Sequence, residues 1–141
     1  MNVFKHVNRV IRLVVLTDFF YNAAFASFSS IFAIFITGHI EGGSAAVAGY
    51  ATASYWVTKS IFQLPIASWL DKTDGEFDEF WALFLGYVMS GLAPLGFMFA
   101  TQPWHLYLIQ AGLGFAMAWA VPAWYSLFTR HVDKQAVGFE W

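Results

Sequence analysis

The sequence predicts an all-α membrane protein of four antiparallel transmembrane helices, and three observations carry that prediction. Charged residues make up 11% of the 141-residue chain, aromatic residues 21% and hydrophobic residues 59%, whereas soluble domains carry about a quarter charged residues. Four long apolar stretches follow one another through short polar connections. Six of the seven Lys and Arg residues fall on one side of this pattern: Lys5, Arg9 and Arg12 before the first stretch, Lys72 between the second and third, and Arg130 and Lys134 after the fourth. The connections on the other side, around Glu41 and Gln102, hold none. That asymmetry orients a multi-pass protein with both ends in the cytoplasm. It implies the cell (inner or plasma) membrane as the location and the lipid bilayer as the main partner. Residues 1–141 form a single integral domain.

A helix needs about 20 residues to cross about 30 Å of hydrocarbon. Spans are therefore expected at about 11–37, 45–70, 80–101 and 104–129. The first is too long for the apolar core of a cleavable leader and contains Asp18, so it reads as an uncleaved span. Gly42, Gly43 and Ser44 make an outer turn in which Ser44 can cap the second helix. Asp71 to Glu79 reads as a solvated inner loop. Thr101, Gln102 and Pro103 make the second outer turn, with Pro103 opening the fourth helix. Trp69 and Trp81 fall at the inner interface and Trp104 at the outer one. Pro65, Pro94 and Pro122 sit inside spans, where each removes a hydrogen bond and favours a kink.

Polar residues within spans are costly and mark candidate function. Asp18 and Asn22 share a face of the first helix with Ser29. Tyr55, Lys59 and Gln63 form a stripe on the second with Thr52. Asp18 and Lys59 fall within roughly 5 Å of each other in depth, at about 1.5 Å per residue, and are expected to interact directly or through water. Asp18, Asn22, Tyr55, Lys59 and Gln63 are thus the candidate lining of a solute or ion pathway. On the fourth helix Gly112, Ala116 and Ala120 recur at four-residue spacing, a small-residue stripe that admits a close neighbour.

Other function classes find little support. The chain has no Cys, which removes thiolate metal sites and Cys nucleophiles. His6, His39, His105 and His131 lie near the membrane faces, so no haem or other metal is expected. No cofactor is implied. Paired catalytic groups at mid-membrane are lacking, so the protein is not expected to be an enzyme, and no basic stripe suggests nucleic acid.

At the inner end of the second span the chain reads Leu64-Pro65-Ile66-Ala67-Ser68-Trp69-Leu70-Asp71-Lys72. This resembles the loop signature of the major facilitator superfamily: a small residue, three positions, then Asp followed by a basic residue. Ala67 stands where a Gly is usual, and Glu76, Asp78 and Glu79 replace the basic run that normally follows. The strings Ile31 to Ile36, Ile40 to Ser44, Leu70 to Lys72 and Thr129 to Lys134 resemble uncharacterised prokaryotic members of that superfamily.

The resemblance implies a partial N-terminal half of such a secondary transporter, its helices one to four, moving a small solute by alternating access. Superfamily members use two six-helix halves with the substrate between them. The chain therefore reads as truncated, ending near the approach to a fifth helix around Gly138 to Trp141. Its partners would be the solute and either missing C-terminal helices or a second copy. The resemblance also implies an inner gate of Asp71, Lys72 and Arg130, with Arg130 compensating Asp71. Leu108 occupies the place of an Arg found in many proton-coupled members, so coupling through that residue is not implied. Two other readings stand beside this one: a four-helix transporter acting as a homodimer, and a membrane-embedded accessory subunit that packs without transporting.

Overall fold

A computed structural model describes residues 8–73 and 75–132. Readings that fall on Lys5, His6, Asp74, Lys134 and residues 138–141 lie outside the described residues. Four helices follow in order: α1 (Arg9–His39), α2 (Ala45–Leu70), α3 (Glu76–Met98) and α4 (Pro103–His131). Neighbours in sequence run antiparallel because their connections are short. α2 and α3 both pack principally on α4, and α1 touches the others more sparsely. The core sits between α4 and its neighbours. Leu106, Leu113, Ala118, Ala123 and Leu127 of α4 meet Ala51 and Ile66 of α2 and Ala82 and Leu83 of α3.

Large apolar side chains point outward all along the bundle. Leu16, Phe19, Ile31 and Ile34 of α1 are exposed, as are Phe77, Phe80, Leu92 and Met98 of α3. A soluble monomer rarely leaves such contiguous apolar area uncovered, whereas lipid solvates it. α1, α3 and α4 are each long and apolar enough to cross a membrane, the character of a multi-pass membrane protein in contact with the bilayer. α2 is long enough at 26 residues, but it is not among the helices that qualify by apolarity. Three of the four expected spans are thus supported by both length and apolarity. The cause of the exception is the polar content of α2, namely Thr52, Ser54, Thr58, Lys59, Ser60 and Gln63.

Helix ends follow local chemistry. Ser44 caps α2, its side chain accepting a hydrogen bond from the Val47 N–H at 3.3 Å. Ser44→Ala is expected to cost about 1 kcal/mol, measurable as a lowered unfolding temperature in detergent micelles. Gly42 takes φ 69° in the preceding turn, a left-handed conformation that suits Gly. Beside it, a β-carbon on Gly43 would overlap the Ile36 carbonyl. Pro103 opens α4, where the His105 ring Nδ1 accepts from the Gln102 backbone N–H at 3.2 Å and the His105 N–H donates to the Gln102 carbonyl at 3.1 Å. The Glu41 N–H donates to the Thr101 carbonyl at 2.9 Å, tying the two turns at this end together.

α3 departs from the expected 80–101. It starts at Glu76, and the inner connection shortens accordingly. Glu76, Asp78 and Glu79 all fall in its first turn, where carboxylates are favoured by the positive end of the helix dipole. The same charges that read as a solvated loop therefore begin the helix. α2, α3 and α4 continue as helix through Pro65, Pro94 and Pro122.

Candidate functional site

Between α1, α2 and α4 lies a cleft of about 420 Å³. α1 contributes Asp18, Asn22 and Ser29, α2 contributes Thr52, Tyr55 and Lys59, and α4 contributes Gln110 and Met117. Aromatic rings form the rest of the wall, including Phe25, Phe28, Phe32 and Trp56. The periodicity of a helix accounts for the grouping: residues three or four apart share a face, and the polar faces of α1 and α2 turn toward each other.

The two charges within this cleft do not form an ion pair. Lys59 Nζ stands 5.0 Å from the ring centroid of Trp56 and 6.0 Å from that of Tyr55, a distance at which a cation is attracted to an aromatic face. Asp18 Oδ1 accepts a long hydrogen bond of 3.5 Å from the Tyr87 hydroxyl. Tyr87 stacks on Tyr21 with centroids 4.8 Å apart. Asn22 donates to the backbone carbonyl of Asp18 at 2.9 Å. Of the two expected arrangements, direct contact is absent: Asp18 and Lys59 line one cavity, each beside an aromatic neighbour.

Gln63 does not join this cleft. Four-residue steps overrun a helical turn by about 40°, so a stripe running from Tyr55 through Lys59 drifts around α2 before it reaches Gln63. Gln63 instead borders a second groove, of about 540 Å³, with Asp71, Ser126, Thr129 and Arg130. This groove lies at the end of the bundle that carries Arg9, Lys72 and Arg130.

Arg130 takes Glu79, not the expected Asp71, as its ion-pair partner. Arg130 Nη2 pairs with Glu79 Oε1 at 2.7 Å, and Ser126 Oγ donates to the same oxygen at 2.5 Å. Glu79 is 1% exposed, and its Oε2 has no hydrogen-bond partner among the described residues. His131 Nε2 lies 3.4 Å from Glu76 Oε1. The acidic start of α3 thus lies against the basic end of α4. Each set of charges suits its own helix dipole as well as the other set. Asp71 and Arg130 border the same groove, while Asp71 and Lys72 are exposed in the turn after α2.

Close helix packing also differs in detail from the expected stripe. Ala116 and Ala120 are buried against Gly86 of α3, where an added β-carbon would stand 2.7 Å from the Ala116 carbonyl oxygen and the Ala120 β-carbon. Gly112 lies outside this contact: it is exposed, and nothing lies within 4 Å of where its β-carbon would be. Gly114 takes the close-packing role on the next face. A β-carbon there would meet the Tyr55 carbonyl oxygen of α2 at 2.3 Å.

Sequence reading missed Glu79, Gln110, Tyr87 and Gly114. A signal existed for the first two. Glu79 continues the buried face of α3 through Ala82, Leu83 and Gly86 at helical spacing, and Gln110 is a polar residue inside an apolar stretch. Tyr87 and Gly114 carry no comparable mark. Among the described residues no group of three His, Asp or Glu side chains could hold a metal ion. Comparison with family models, curated proteins and solved structures finds no match.

Proposed function

We propose that the chain forms one wall of a solute pathway in a secondary active transporter of the cell membrane. In this reading all four helices cross, and both chain ends lie in the cytoplasm. The observation that carries it is the cleft, where Asp18, Asn22, Tyr55, Lys59 and Gln110 from three helices line one cavity. A charge at mid-bilayer costs about 2.5–3.5 kcal/mol on insertion scales. Two such charges that do not neutralise each other call for water or a solute beside them.

α2 serves as the fourth crossing. Its 26 residues extend about 39 Å, and several of its polar side chains face the cleft or the groove at the basic end. Asn22, Thr52 and Trp56 of the cleft wall are exposed in the single chain, so an opposite wall, from further helices or a second copy, would enclose the solute. The resemblance of Ala67 to Lys72 to the major facilitator signature supports alternating access, with Asp71, Lys72 and Arg130 at the cytoplasmic gate. In that gate Glu79 would hold Arg130.

The chain has no Cys, so single cysteine substitutions read cleanly. In membrane vesicles Glu41→Cys should react with an impermeant thiol reagent from the outside and Lys72→Cys from the inside. Asn22→Cys and Thr52→Cys should react as readily as these surface sites, and Ile34→Cys, on the lipid side, should not. Cleft cysteines as inert as the one at position 34 would favour a packing subunit instead. Glu41 and Lys72 reacting from one face would remove the four-crossing topology.

A further inference from the structure

Resting on the pathway reading, we infer that the solute is a small zwitterion with an aromatic or comparably flat apolar body. The argument is one of charge balance. Asp18 and Lys59 line the same cleft, and among the described residues neither has an ion-pair partner. Asp18 lies about 14 Å along α1 from Arg9, and Lys59 about 17 Å along α2 from Leu70, at a rise of about 1.5 Å per residue. The two charges therefore sit at similar depth. Among the described residues the Asp18 carboxylate has a single long hydrogen bond, from Tyr87, which leaves most of its acceptor capacity open. The Lys59 ammonium rests against the Trp56 and Tyr55 rings, an arrangement that leaves its donors available.

A ligand carrying one charge would neutralise one of these groups and leave the other without a counter-charge within the membrane, where a lone charge is costly. A sugar would leave both. A molecule with an ammonium toward Asp18 and a carboxylate toward Lys59 satisfies both and enters with no net charge. The remainder of the wall selects the body. Phe25, Phe28, Phe32, Tyr55 and Trp56 line the same cleft as the two charges, with Phe25 and Tyr55 centroids 6.5 Å apart. Aromatic partners prefer such offset or tilted contacts. The volume of about 420 Å³ lies within the range of about 300–1,000 Å³ common for small-molecule sites.

The test uses the full chain in lipid nanodiscs and three probes: L-phenylalanine, 3-phenylpropanoate, which lacks the amine, and 2-phenylethylamine, which lacks the carboxylate. Phenylalanine is expected to bind at least about tenfold more tightly than either analogue, since each analogue leaves one half-buried charge of the cleft without a counter-charge. Asp18→Asn should abolish the preference over phenylpropanoate, and Lys59→Met the preference over phenylethylamine. The three-probe comparison on the unaltered chain decides the matter by itself, so a variant that fails to fold does not shelter the inference. A singly charged analogue that binds as well as phenylalanine overturns it. So does an absence of binding while Asn22→Cys remains reactive, and in that case the pathway reading survives. An absence of binding together with an inert Asn22→Cys removes both.

Discussion

Gly114→Ala should drive α2 away from α4 and lower stability by about 3 kcal/mol or more, at the upper end of the cost of overpacking. The added methyl group would lie 2.3 Å from the Tyr55 carbonyl oxygen and 3.1 Å from the Lys59 backbone nitrogen. Both obstacles are main chain inside a continuous helix, so no rotamer change relieves them. Membrane helices associate through close packing of this kind, without a hydrophobic drive between them. The control is two residues away. Gly112→Ala meets nothing within 4 Å and should stabilise α4 by about 0.5–1 kcal/mol through helix propensity. Thermal unfolding in micelles, followed by tryptophan fluorescence, separates the two. Equal effects at positions 112 and 114 would mean that α2 does not approach α4 as described. The disturbance should also reach the cleft, because the Tyr55 and Lys59 backbones are the surfaces displaced.

Arg130→Met should cost about 3 kcal/mol, since it strands the Glu79 carboxylate without its cation. Removing one partner of a buried pair typically costs about 3–5 kcal/mol. The lower end applies because the Arg130 side chain is 42% exposed whereas that of Glu79 is 2% exposed. The same asymmetry predicts that Glu79→Gln is milder, near 1 kcal/mol: Ser126 can still donate to the amide oxygen, and Arg130 can turn toward water. The double variant should recover most of the loss seen for Arg130→Met alone. A double-mutant cycle in micelles measures this coupling, and additive effects would show that the pair is energetically idle. Asp71→Asn, by comparison, should leave stability nearly unchanged, because Asp71 is exposed and Arg130 takes Glu79 as its partner.

The helices were legible because their signals are long and repeated. Four apolar runs, Ser44 as a cap and Pro103 at a helix start are local facts that tertiary packing did not override. The cleft was partly legible for a related reason. Asp18, Asn22, Tyr55 and Lys59 stand out as polar residues in apolar surroundings, and helical spacing assigns them to faces. Spacing does not say which neighbour a face meets. Gln63 drifts off the stripe, and Gly112 and Gly114 look alike until α2 arrives beside one of them. Charges near a helix end were the hardest to read. Glu79 belongs to a run of acidic residues that resembles a solvated connection, and only the start of α3 at Glu76 turns it inward. α2 shows the opposite problem, since the polar residues that line the cleft and groove are the ones that dilute its apolar character.

The central position of α4 has a consequence for biogenesis. Translation delivers α1, α2 and α3 before the helix on which α2 and α3 principally pack. Until α4 emerges from the ribosome, Ala82 and Gly86 of α3 and the main chain around Tyr55 of α2 have no surface to close upon. The early helices must therefore be held at the insertion machinery, or wait loosely associated in lipid. α2 and α3 gain their shared packing surface only when the Gly114 and Ala116 segment arrives between them.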